Sequence, residues 1–204
     1  MPRVRGLAPL LLVLLAGCQA LPRAVPAIGD GTPAAAAFSE RRAALGAIDA
    51  WTLRGRSALS ADRRGWSGTI HWAQAGDELD LRFIAPLGAG TLRLTGVPER
   101  LRVRASDGTD FHTADPAGDL ARVLGAPLPV AALRWWVLGV PPPDAVVTGL
   151  ELDAAGRATA FAQDGWRVEY PRYTEHDGVV LPGVVVAERD GAKLRVVVDE
   201  WTAR

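Results

Sequence analysis

The clearest chemistry in the sequence lies in Leu15-Ala16-Gly17-Cys18, which closes an apolar run and holds the only cysteine of the chain. A cysteine directly after small residues is the bacterial lipobox pattern. Its sulfur takes a thioether-linked lipid, the chain is cut before it, and the new amine is acylated. Arg3 and Arg5 form a basic n-region, and Leu7 to Leu15 form a short apolar h-region. This spacing predicts a leader over 1–17 and a chain anchored to a membrane through Cys18 rather than spanning it. No other cysteine exists to pair with Cys18. Gln19 follows; an Asp there would favour retention at an inner membrane, so Gln19 permits sorting to the outer one.

Other chemistry is sparse. His71, His112 and His176 are far apart and have no partners at helical spacing, which argues against a histidine metal site. Gly65-Trp66-Ser67-Gly68 resembles a nucleophile elbow, but Thr69 stands where that motif needs glycine, so Ser67 reads as an outward strand residue. Asp107-Gly108 and Asp177-Gly178 read as turns. No phosphate loop or dinucleotide fingerprint occurs. The reading is a protein without catalysis and without cofactor.

The elements around these residues follow from composition and period. Charge is balanced, with 23 basic and 23 acidic residues. Without Arg3 and Arg5 the mature chain carries 21 against 23, and no basic excess points to nucleic acid. With no cysteine beyond Cys18, the fold must rest on packing. No later apolar run approaches the roughly 20 residues that cross a bilayer. Residues 18–37, with Pro22, Pro26, Gly29, Gly31, Pro33 and an alanine run, read as a tether of about 20–25 Å end to end. Residues 38–204 read as one domain.

Phe38 to Asp49 reads as a helix capped by Ser39, with Phe38, Leu45 and Ile48 on one side. The period then becomes two over Trp51–Leu59, Trp66–Trp72, Leu79–Phe83, the residues around Leu92 and Leu94, and Leu101–Ala105. Such alternation means antiparallel strands with one apolar and one wet face. Asp115-Pro116 starts a helix that Gly125 stops, and Leu128-Pro129 opens another to Leu138, with Leu133, Trp136 and Val137 as its stripe. Strands resume at 148–152, 159–163, 166–170, 183–189 and 193–201, the last two joined by the Asp190-Gly191 turn. The pattern fits a curved sheet or open barrel with helices across its concave face. Seven tryptophans fill a core or line a cavity, and periodicity alone favours the plain core.

In order along the chain stand Arg54-Gly55, Pro86-Leu87-Gly88, Asp107-Gly108 with Thr113-Ala114-Asp115, Pro129, Leu133-Arg134, and Trp136-Val137-Leu138-Gly139 with Pro141. They continue with Gly165-Trp166-Arg167-Val168, Tyr170, Leu181-Pro182 and Trp201. Together with the lipobox and the length, this succession resembles the LolB family of outer-membrane lipoproteins. Pro141-Pro142-Pro143 and the alanine-rich tether are not part of the family pattern and bear only on loops.

The resemblance implies a mainly β fold: an unclosed antiparallel barrel of about 11 strands, covered by helices, around an apolar cavity. It implies acceptance of triacylated lipoproteins from a LolA-type periplasmic carrier and their insertion into the outer membrane, without nucleotide. The partners expected are that carrier, lipoprotein acyl chains and outer-membrane lipid, with no nucleic acid and a monomeric receptor facing the periplasm. The candidate lining of the cavity is Trp51, Leu53, Trp66, Ile70, Trp72, Leu81, Phe83, Leu133, Trp136 and Trp166. Pro86, Leu87 and Gly88 are the candidate membrane-insertion loop; residues alone favour a plainer reading, in which Leu87 folds back onto its own hairpin or is one of the singly exposed leucines that need no explanation. Two rival classes share much of the pattern: an envelope lipoprotein carrying phospholipid or glycolipid in a related cavity, and a structural envelope lipoprotein with a packed core.

Overall fold

The computed structural model describes residues 31–61 and 64–204. The expected leader, Cys18 and the tether up to residue 30 lie outside the described residues. The order is α1 (Pro33–Gly46), β1 (Ala50–Ala61), β2 (Arg64–Ala75), β3 (Glu78–Ile84), β4 (Thr91–Val97), β5 (Arg100–Ala105) and β6 (Asp110–Thr113). Next come α2 (Pro116–Leu124), α3 (Val130–Trp136), β7 (Thr148–Leu152), β8 (Ala158–Gln163), β9 (Trp166–His176), β10 (Val179–Arg189) and β11 (Ala192–Ala203).

All 11 strands form one antiparallel sheet in the order β6-β5-β4-β3-β2-β1-β11-β10-β9-β8-β7. The two edge strands do not pair with each other, so the barrel is not closed. Two meanders thus meet at a seam where β1 lies beside β11, with Leu53 opposite Trp201 and Leu59 opposite Leu194. A bulge interrupts this seam between Arg54 and Gly55. A side chain at Gly55 would place a Cβ 2.1 Å from the Val197 carbonyl oxygen, so only glycine allows the strands to approach there.

Most strands bury one face, as the alternation requires; the edge strand β7 has no buried residue, and β10 is buried on both faces from Leu181 to Ala187. Leu53, Ile70, Trp72, Leu79, Leu81, Leu94, Leu101, Val103, Val185, Leu194 and Val196 join a single core with Leu120, Leu124, Leu133 and Trp136 of the two central helices. The helices therefore lie on the concave face of the sheet. Their limits follow local rules: Asp115 caps α2 by accepting from the Gly118 amide at 3.1 Å, and Gly125 ends it in the left-handed conformation, φ 77°. The Asp190-Gly191 turn joins β10 to β11 with both residues at positive φ.

Two expectations are corrected, and one strand is found that the sequence reading did not assign. The first helix starts at Pro33, not Phe38, because Thr32 rather than Ser39 caps it, its Oγ1 accepting from the Ala35 amide at 3.1 Å. The alanine run placed in the tether is thus the first turn of a helix, as its high propensity allows, while Ser39 donates back to the Ala35 carbonyl inside it. The third helix is shorter than its apolar stripe, ending at Trp136, where tight turns at Val137 to Gly139 take over. A short strand at Asp110–Thr113 pairs with β5 although only Phe111 and Thr113 show the alternation.

Candidate functional site

An apolar cavity of about 50 Å³ lies between the concave sheet face and the helices. Strands β2, β3 and β4 contribute Trp66, Ile70, Trp72, Leu81, Phe83, Leu92 and Leu94; α2 and α3 contribute Leu124 and Leu133. Leu59, Leu128, Leu194, Val196 and Ser57 complete the wall, so no charged side chain faces the space. Such a chamber can shelter hydrocarbon and offers nothing to a polar ligand.

The structure brings six of the ten expected lining residues together: Trp66, Ile70, Trp72, Leu81, Phe83 and Leu133. It does not bring in Trp51, Leu53, Trp136 or Trp166. Trp51 packs against Trp72 at 5.1 Å between ring centroids, tilted by 54°, and, with Leu53, is buried in the core outside the cavity wall. Trp136 packs edge-on against Trp166 at 6.0 Å and Phe161 at 6.5 Å, and its indole donates to Gln163 Oε1 at 3.0 Å. Trp51, Leu53 and Trp166 point inward as alternation demands, and Trp136 does so by helical spacing, but neither period says where along an element the packing is complete. Leu59, Leu92 and Leu94 carry the same alternation and could have been named with the rest; Leu124 and Leu128 answer to no strand pattern.

A second hollow of about 110 Å³ shares Trp66, Phe83, Leu92 and Leu124 with the first and extends to Ala85, Ala89 and Gly90, with Thr91, Ser106 and Asp107 as the polar part of its wall. The apolar space therefore leads toward the loop that joins β3 to β4. An engineered cavity of 150 Å³ accommodates benzene, so a chamber of 50 Å³ must open along this direction before an acyl chain enters it.

At that loop Pro86, Leu87 and Gly88 form a single 3-10 turn, closed by the Ala89 amide to the Pro86 carbonyl at 3.1 Å. Leu87 is fully exposed, at 105 %, and its backbone is left-handed, φ 55° and ψ 27°. The folded-back arrangement is thus excluded. A left-handed backbone costs a non-glycine residue about 1–2 kcal/mol, and here no packing of the side chain offsets it. Ile84, also exposed, stands just before the turn.

Away from the cavity, α1 covers the β9–β10 side of the sheet. The Arg41 guanidinium donates to the Val180 carbonyl and lies over the Tyr173 ring, 5.6 Å from its centroid. Burial there holds Arg41 below its ordinary value and pushes Tyr170 and Tyr173 well above the usual phenol range. The histidines sit on β2, β6 and β9 as strand residues, and the described residues contain no group of three potential metal ligands.

A family model described as "Outer membrane lipoprotein LolB" matches residues 49–201. A protein named outer-membrane lipoprotein LolB from Stutzerimonas stutzeri is 37 % identical over 198 residues, covering 97 % of this chain and 95 % of its own. One of the same name from Nitrosococcus oceani is 36 % identical over 190 residues, covering 93 % and 92 %. Among solved structures, a LolA superfamily protein from Nitrosomonas europaea superposes with a TM-score of 0.53 at 10 % identity, over 83 % of this chain and 93 % of its own. A DUF1329 family protein from Desulfovibrio piger gives 0.52 at 7 %, over 84 % and 93 %. These likenesses in structure are likenesses of fold.

Proposed function

Because the chain belongs to the LolB family, we propose that it is an outer-membrane lipoprotein that takes triacylated lipoproteins from a LolA-type carrier and inserts them into the membrane. Cys18 carries the acyl anchor, and the domain faces the periplasm. Three acyl chains would cost on the order of 30 kcal/mol to expose to water, at about 0.8 kcal/mol per methylene. They must pass between apolar shelters, and the direction comes from successively better binding rather than from a catalysed step. The chamber behind Trp66 and Phe83 is the shelter in this protein, opened by the incoming chains.

The observation that carries this reading is Leu87. A leucine held fully exposed in a left-handed turn, at the end toward which the apolar space leads, weakens the fold and gains nothing within it. It gains if it enters a bilayer interface, where burial of one leucine contributes about 1.5–3 kcal/mol. That is too little to anchor a protein and enough to orient one already tethered. A structural envelope lipoprotein would explain the small cavity but not this residue.

Two variants test the reading. Leu87→Glu should fold normally and receive lipoprotein from the carrier, while insertion into liposomes stops. Leu87→Gly should raise stability in urea by about 1 kcal/mol, since glycine relieves the left-handed strain, and should still insert poorly. Normal insertion by either variant refutes the role; failure of Leu87→Glu at receipt would move Leu87 to the carrier contact.

A further inference from the structure

The outer face of the sheet carries an arrangement that neither the cavity nor the Leu87 turn uses. Strand pairing places Arg54 opposite His71, His71 opposite Arg82, Arg82 opposite Arg93, and Arg93 opposite Arg104. A single cross-strand row of four arginines and one histidine thus runs over β1 to β5. Facing residues in such a row have Cβ atoms about 4.5–5.5 Å apart, and like charges directly opposite destabilise a sheet. The ends are relieved: Glu200 lies 3.6 Å from Arg54, and Asp110 lies 3.2 Å from Arg104. Arg93 is held by Asp80, with Nε to Oδ1 at 2.8 Å. Arg82, in the middle, is exposed and makes no ion pair among the described residues.

The row is placed with respect to the loop. The next row toward Leu87 on the same face contains Arg56, Thr69 and Ile84, which pair across β1, β2 and β3. Ile84 is exposed, and Pro86 shares with Arg56, Thr69 and Arg195 an open hollow on this outer face. Arg195 likewise makes no ion pair among the described residues. Moving away from the tip, the face therefore presents Leu87, then Ile84, then arginines, with Arg82 about 7 Å beyond Ile84 at the rise of a strand. An apolar tip followed by arginines matches a bilayer from its hydrocarbon outward to its phosphates, so a face that enters tip first meets each layer with its own chemistry.

We propose that this outer face of β1–β5, with the adjoining β11, is a docking surface for phospholipid headgroups, with Arg82 on β3 and Arg195 on β11 as its free phosphate ligands. The domain then lies with this face against the bilayer while Leu87 enters it. The proposal rests on the membrane role of Leu87 and adds the orientation and the lipid chemistry. An acidic protein could also answer to arginines, but exposed Ile84 and Leu87 on the continuation of the face favour the bilayer, whose interface takes both.

The test uses the membrane-extracted full chain reconstituted into phosphatidylcholine vesicles with or without about a third phosphatidylglycerol. A fluorophore is attached through Thr69→Cys on this face or through Thr148→Cys on the far edge strand, and headgroup-labelled quenching lipid is added. The Thr69 label should be quenched and the Thr148 label not, more strongly with phosphatidylglycerol and less as salt is raised. Arg82→Ala should lower the equilibrium constant for the face-down state about fivefold, and Arg82→Ala with Arg195→Ala about 25-fold, near one surface-bound arginine's contribution each. Equal quenching at both sites, or quenching indifferent to lipid charge and to the arginines, overturns the proposal. Loss of carrier binding in the arginine variants without vesicles, with quenching unchanged, assigns the face to an acidic protein instead. Because quenching needs neither cargo nor carrier, its result stands apart from whether the protein inserts lipoproteins.

Discussion

Trp66 donates its indole N–H to the carbonyl oxygen of Leu124 over 3.2 Å, tying β2 to the last turn of α2. The same two residues belong to the walls of both apolar spaces, so this bond spans the boundary between them. At 40 % exposure Trp66 has room to swing, unlike the other tryptophans of the inner face.

Trp66→Phe keeps an aromatic wall and removes the donor. A neutral hydrogen bond contributes about 1 kcal/mol, so the variant should lose about that in urea denaturation. An apolar fluorescent probe should enter it several times faster in stopped-flow mixing. An unchanged entry rate would show that the bond is not what keeps the two spaces apart.

Packing differs between the two ends of the core, and truncation should read the difference. Trp136→Ala removes a ring that is fully buried among Phe161 and Trp166 and strands Gln163, at a cost of about 3–5 kcal/mol. Leu81→Ala enlarges an existing cavity, should fall at the low end of the roughly 2–5 kcal/mol range for such truncations, and should bind the probe more tightly. Equal losses with no gain in probe affinity would mean that both sites are ordinary core.

Tyr170 and Tyr173 are the only tyrosines of the chain. Burial raises both; the Tyr170 hydroxyl has no partner among the described residues, and Arg41 opposes the rise in each. A phenol raised by folding favours the native state less as it is forced to ionise. Stability tied to these groups is fully present below the unfolded value near pH 10. It is lost as pH rises from there through the folded values. Phenolate absorbance should therefore stay absent at pH 10 to 11 in the folded protein and appear together with loss of the near-ultraviolet dichroism of the tryptophans. Phenolate appearing first, with the fold intact, would place at least one ring in water.

Period-two alternation placed Leu53, Ile70, Trp72, Leu81 and Leu94 on one face, and the structure agrees, because a pleated strand leaves no other choice once one side is buried. Asp115, Gly125 and Asp190-Gly191 were equally legible, since caps and turns are chemistry within a few residues. What local pattern does not hold is position along a strand: Trp66 and Trp166 are both inward strand aromatics, yet one borders empty space and the other is packed against Trp136. Pro86-Leu87-Gly88 read as a turn, but its left-handed leucine depends on how Ala85 and Gly90 close the hairpin, their amide and carbonyl meeting at 2.9 Å. The opposition of Arg54, His71, Arg82, Arg93 and Arg104 could not be seen until the register of four hairpins was known.

The seam between β1 and β11 joins the two ends of the described domain. Arg56 meets Asp199 across 143 positions of sequence, in the middle of the sheet rather than at its rim. Each meander can form from hairpins between neighbours, but neither half has its central neighbour until the last strand of the chain arrives. Closing a loop of that length is entropically late, so this pairing, the one non-consecutive pairing in the strand order, should form after the hairpins on either side of it. Until then the inner edges of both halves stand open, so the seam is where a folding chain would pair with a second copy of itself.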